Sequence, residues 1–201
     1  MALDRDLIVR TALRLLDEVG LETLSLRRLA KELDVQASAL YWHVKNKQEL
    51  LDEMARVIVI DAVRAAPMPA GQTWQEMLTH LARVQYTATR SHRDGGALML
   101  TARNLADYQL EYLDWMLGML VAAGFTETAA AEAFLVVSNY ALGAAVVQQR
   151  GGNTGVDATE PEVVAAVRTH PALIRIVEAS KDPDAVFETG LRWLIAGMIT
   201  V

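Results

Sequence analysis

QASALYWHVKNKQELL, residues 36–51, sets three adjacent rings (Tyr41, Trp42 and His43) beside two cations, Lys45 and Lys47, in a chain of formal charge −6. Asn46, with Glu49 three residues on, has the spacing of a capping box. The stretch therefore ends by opening a helix that runs through "KQELLDEMARVIVIDAVRA" to the break "APMPAG". Upstream, Ser25 is placed to cap a short helix with apolar positions Leu26, Leu29, Ala30 and Leu33, ending at Asp34, which tolerates a left-handed turn. Another short helix is expected over about 37–43. Two short helices joined by a few residues form the helix-turn-helix arrangement, in which the first crosses the DNA backbone and the second enters the major groove. The opening residues of the second helix suit that role. Gln36 bonds an adenine edge, Ser38 either groove partner, and the methyl of Ala37 or Ala39 packs on a thymine methyl. Tyr41 through its hydroxyl and Lys47 as a point charge reach phosphates, aided by the free N–H groups at the start of the long helix. The competing reading is an amphipathic core edge at Tyr41, Trp42 and His43 with solvated lysines.

Outward from this stretch the periodicity is helical throughout. Residues 4–19 put Leu7, Ile8, Ala12, Leu15, Leu16 and Val19 on one stripe that stops at Gly20. Thr73 and Glu76 cap a helix over 74–91, and others are expected at about 94–101, 105–123, 127–149, 161–179 and 184–199, with Gly124, "GGNTG" and "KDPD" as breaks. The expectation is an all-α chain of about nine to ten helices. Its 201 residues, 52% of them hydrophobic, are enough for a small and a larger domain. The absence of cysteine excludes disulfides, thiolate zinc sites and thiol catalysis. No apolar run suits a membrane span and no signal-peptide pattern opens the chain, so a cytoplasmic protein is expected. Residues 1–50 balance eight Lys/Arg against eight Asp/Glu, whereas Ser25 to Lys47 holds five bases and two acids. That is a local positive patch on a negative body, unlike a protein that coats nucleic acid indiscriminately.

"TLSLRRLAKELDVQASALYWHVKNKQELLDEM" resembles the DNA-binding region of the tetracycline-repressor (TetR) family, and the likeness continues in "SHRDG" at 91–95, "GF" at 124–125 and "LG" at 142–143. The resemblance implies an all-α homodimer. A helix-turn-helix domain would occupy residues 1–46, and an effector-binding and dimerisation domain residues 47–201. It assigns Arg27 to a base or phosphate, Gln36, Ala37, Ser38 and Ala39 to the bases, and Tyr41, Trp42, His43 and Lys47 to the DNA backbone. Ala37 and Ala39 stand where tetracycline-responsive members carry polar side chains, so a different double-stranded operator is expected.

The same resemblance argues against magnesium–tetracycline as the effector. The position of the metal-binding imidazole is Met99, that of the assisting carboxylate is Val147, and two polar drug-contact positions are Leu81 and Met116. A hard cation wants oxygen ligands, which thioether and alkyl groups do not supply. Together with Val63, Leu113 and Phe134, these residues suit an apolar or aromatic small molecule oriented by Gln85, Arg103, Ser138 or Asn139. The alternative for each is ordinary core. The stretch 133–149 carries no charge and alternates small with large side chains, and the last helix is apolar, so 127–149 and 184–199 are expected to pair with their symmetry mates. "SHRDGG" is the expected hinge, through its glycines. No cofactor motif or metal site is read. "HRD" at 92–94 matches a kinase loop by chance, because Met99 replaces the required Asn and no phosphate loop exists, so no enzymatic activity is expected. An effector-independent architectural DNA-binding protein is the remaining alternative.

Overall fold

The computed structural model describes residues 3–103, 107–150, 165 and 170–198, and every regular element among them is a helix. In chain order they are α1 (Arg5–Val19), α2 (Leu26–Glu32), α3 (Ala37–Leu40), α4 (Lys47–Ala65) and α5 (Trp74–Arg90), then α6 (Gly95–Thr101), α7 (Asp107–Ala122), α8 (Glu127–Gln149), α9 (Pro171–Ser180) and α10 (Pro183–Ala196). The expected 161–179 helix is described as α9 over its second half; "GGNTG" and, apart from Ala165 and His170, the rest of 161–179 lie outside the described residues.

Local chemistry sets most helix starts. Asp4, Ser25, Thr126 and Asp182 each accept a backbone N–H of the first turn, and Thr73 with Glu76 completes a reciprocal capping box at α5. The box expected at α4 is only half formed. Asn46 accepts the Glu49 N–H at 2.9 Å, but the Glu49 carboxylate turns away to the Lys45 N–H at 2.7 Å and to the Arg5 guanidinium. The carboxylate thereby keeps one backbone N–H and gains a guanidinium, both charge-assisted partners. α3 is also shorter than expected: after Leu40 the His43 and Val44 N–H groups both return to the Leu40 carbonyl, a tight turn that drops Val44 into the core. Asp34 (φ +54°), Gly20 (+76°) and Gly124 (+104°) take the left-handed conformation where the chain reverses.

Two apolar cores result. The first gathers α1, α2, Leu40, Val44 and the first three turns of α4 from Leu50 to Ile58, closed by Ala88 of α5 and Leu98 of α6. The second gathers α5, α7, α8 and α10 around Met77, Tyr86, Met116, Val137, Ala141 and Phe187. α4 thus belongs by packing to the first core while it also lies against α5 and α6. α8 alone among the described helices has the length and composition of a membrane span, yet its Ala130, Ala133, Val137, Ala141 and Ala145 face is buried in the second core. α10 is fastened to α5 by polar contacts. Arg83 grips Glu188 through two 2.7 Å bonds, and Asp184 accepts from Arg90 at 2.6 Å and from the Tyr86 hydroxyl at 2.8 Å.

Candidate nucleic-acid interface and effector region

The residues expected at DNA gather at one end of the molecule, around α2, α3 and the turn into α4. Arg27, Gln36, Ala37, Ser38, Tyr41, Trp42 and Lys47 are exposed there, while Ala39 and His43 are half-buried because the short α3 turns them partly inward. Trp42 is 90% and Tyr41 55% exposed, an unusual amount of ring to leave in water beside the fully buried Leu40 and Val44. The Gln36 amide caps nothing, although Gln36 stands at the N-cap of α3. The Lys47 amine reaches the Leu21 carbonyl at 3.4 Å, tying the start of α4 to the α1–α2 turn. At the start of α4 the Glu49 N–H is already taken by the Asn46 side chain, and the Lys45 N–H, ahead of the helix, by the Glu49 carboxylate.

Behind this end lies the α5–α6 corner, residues 91–96, where neither Gly95 nor Gly96 has positive φ and it is Asp94 that takes the left-handed conformation at +55°. The glycines are there for close approach. A Cβ on Gly95 would stand 2.2 Å from the Thr89 carbonyl oxygen, and one on Gly96 2.7 Å from Val146 Cγ2. Asp17 of α1 accepts from His92 Nδ1 and the Arg93 N–H, both at 2.8 Å, and Asp94 accepts the Leu21 N–H at 2.9 Å. From α8, Gln149 donates to the His92 and Thr89 carbonyls and accepts the Gly96 N–H.

A second polar joint, also unread in the sequence, fixes the far end of α6. Asp52, only 8% exposed, accepts at Oδ1 from the Gln48 amide and the Arg103 backbone N–H, each at 2.9 Å, and Gln48 also donates to the Thr101 carbonyl at 2.9 Å. The available signal was a carboxylate and an amide at i, i+4 on the apolar stripe of α4.

The eleven expected effector residues do not converge on one cavity. Leu81, Leu113 and Phe134 are half-buried around the second core and Met116 is fully buried within it. Gln85 and Ser138 are half-buried on α5 and α8, which pack along each other, and the Ser138 hydroxyl oxygen is buried without a hydrogen-bond partner among the described residues. Met99 packs on the first core, and Val63 and Arg103 are exposed. Asn139 and Val147 line a half-open groove of about 350 Å³ between α8 and α10, with Tyr140 and Phe187. Among the described residues no three His, Asp or Glu side chains group to hold a metal ion, the Met99 thioether offers a hard cation no oxygen ligand, and His80 is bonded to the Ala66 carbonyl and His92 to Asp17.

Comparison with known proteins joins these two regions. Residues 8–54 match the model for bacterial regulatory proteins of the tetR family, and residues 66–201 match the tetracyclin repressor-like C-terminal domain. The chain belongs to the TetR family. It is 36% identical over 202 residues to the class C tetracycline repressor protein of Escherichia coli, covering 98% of this chain and 90% of the relative. A possible TetR family transcriptional regulator from Streptomyces coelicolor A3(2) superposes with a TM-score of 0.84 at 37% identity, covering 96% of this chain and 98% of that one. The class A TetR in complex with 5a,6-anhydrotetracycline and magnesium superposes at 0.74 with 30% identity, covering 98% of both chains. This TetR-family chain is accordingly a DNA-binding transcription regulator with a ligand-binding class of C-terminal domain.

Proposed function

We propose that the protein is a cytoplasmic repressor that binds a palindromic operator as a homodimer and lets go when a small, largely apolar or aromatic effector other than magnesium–tetracycline binds. Residues 1–46 form its DNA-binding unit and 47–201 its effector and dimerisation unit, with α4 packed into the first core while it lies against α5 and α6. The observation that carries the reading is the bare Trp42–Tyr41 pair flanked by Arg27, Gln36, Ser38 and Lys47. Rings and cations so placed hold the sugar–phosphate backbone, leaving Gln36, Ala37 and Ser38, with Ala39 at their inner edge, to meet the bases. On the effector side, the favoured lining is Leu81, Gln85, Leu113, Phe134 and Ser138 where α5, α7 and α8 meet, with Arg103 at the α6 edge. The buried hydroxyl of Ser138 supports a ligand with one polar atom to satisfy it.

The test is selection of bound duplexes from a random pool, followed by release with a panel of planar apolar compounds and, separately, with magnesium and tetracycline. Recovery of a palindrome released by members of the panel and indifferent to magnesium–tetracycline is expected. Release by magnesium–tetracycline at concentrations that act on the class A protein overturns the effector assignment.

A further inference from the structure

α8 packs along α5 and α6, and its last turn meets the α5–α6 corner through one side chain with a particular chemistry. Gln149, at the last turn of α8, donates through Nε2 to the carbonyls of His92 (2.8 Å) and Thr89 (3.3 Å) and accepts the Gly96 N–H through Oε1 (2.8 Å). An amide alone among the side chains of this size supplies two donors and an acceptor at once. Glutamate keeps the acceptor and loses the donors; methionine has no donor and only a weak acceptor.

The corner that Gln149 holds is in turn the seat of α1 and the α1–α2 turn, through His92 and Arg93 to Asp17 and Asp94 to Leu21. It has little slack. The absent side chains of Gly95 and Gly96 let Thr89, Val146 and Gln149 itself approach within what a Cβ would occupy, the last at 3.1 Å. A closely packed corner passes a displacement on instead of absorbing it. Whatever fixes the corner against α8 therefore fixes the angle at which the DNA-binding end leaves the dimerisation helix.

We propose that Gln149 is a positioning residue for palindrome recognition: it sets the register between α8 and the α5–α6 corner, and through it the separation of the two recognition helices. The inference rests on the reading of the protein as an operator-binding dimer. Two half-sites one DNA turn apart require that separation to be held near 34–36 Å, so a loosened register lowers discrimination between half-site spacings more than it lowers stability.

The chain has no cysteine, so Glu22→Cys in the exposed α1–α2 turn carries one spin label per protomer without competition. Distance distributions are recorded for the full-length protein and for Gln149→Met, Gln149→Glu and Asp17→Ala in that background. Each is also titrated with the selected palindrome and with versions one base pair longer and shorter. The wild-type residue is expected to give one narrow distance and a preference of about tenfold or more for one spacing. Both Gln149 variants, still dimeric and helical, broaden the distance and cut that preference to about threefold or less. Combining Gln149→Met with Asp17→Ala adds nothing beyond the larger single effect, because both act on one corner. An unchanged distance and spacing preference in Gln149→Met and Gln149→Glu overturns the proposal. If the distance broadens but wild type selects no palindrome, the joint stands and the operator reading falls.

Discussion

Trp42 separates binding from folding at the scale of a single residue. At 90% exposure it contributes little to the fold, so Trp42→Ala is expected to leave stability within about 0.5 kcal/mol in urea unfolding. The same substitution lowers operator affinity by about tenfold in a DNA titration, the loss of roughly 1.4 kcal/mol of backbone contact. A stability loss as large as the affinity loss would return Trp42 to the core edge. Caps and turns were legible at this scale because each is decided within four residues: Ser25, Asp34, Asn46 and Thr73 do what their types and spacings imply. Glu49 was misread because the cation that diverts it, Arg5, lies 44 residues away. Ala39 and His43 turned partly inward because the length of α3 is set by where Val44 must be buried, a tertiary demand.

Elements are held together by close approaches and by a few charges, and each kind of hold has its own signature. A Cβ on Gly190 would lie 2.1 Å from the Tyr140 hydroxyl oxygen, which donates to the Phe187 carbonyl at 2.9 Å beneath the stack of Tyr140, Phe187 and Tyr86. Gly190→Ala is expected to destabilise by about 1–3 kcal/mol through this overpacking, read from the urea midpoint. The α5–α10 contacts respond to pH. Asp184 is held below the ordinary carboxylate range by the Tyr86 hydroxyl and Arg90, and Glu188 by Arg83. A carboxylate lowered on folding stabilises above its unfolded value, near 4, and that contribution is lost as pH falls through the lower folded value. Stability therefore declines below about pH 5, and the decline is shallower in Asp184→Asn with Glu188→Gln, measured as melting temperature against pH. Helix order and the apolar stripe of α1 were readable from periodicity. The pairing of Asp184 with Tyr86 and Arg90 was not, since those residues are nearly a hundred positions apart.

Across the whole molecule, the described surface leaves α8 and α10 apolar on one side. Leu135 (54%), Val136 and Trp193 (75%) are exposed there, beside the groove that Asn139, Gly143 and Val147 line. Under the dimer reading, Trp193→Glu with Leu135→Glu yields a folded monomer by sedimentation that no longer binds a palindrome, because each half-site alone forfeits the partner's contribution. A double variant that stays dimeric places the interface elsewhere. The apolar side of α8 was legible from the uncharged stretch 133–149, whereas the residues expected at an effector, drawn from α4 through α8, scatter over two cores and a groove, because what packs beside them is set by contacts that no local pattern encodes.

The most direct test of the central claim is the binding of the selected palindrome across a salt series by wild type, Tyr41→Ala and Lys47→Ala. The account predicts weaker binding in both variants and, for Lys47→Ala, a log–log salt slope shallower by about 0.9, the signature of one lost phosphate contact. Sequence-indifferent binding with the same slope in all three proteins would contradict it.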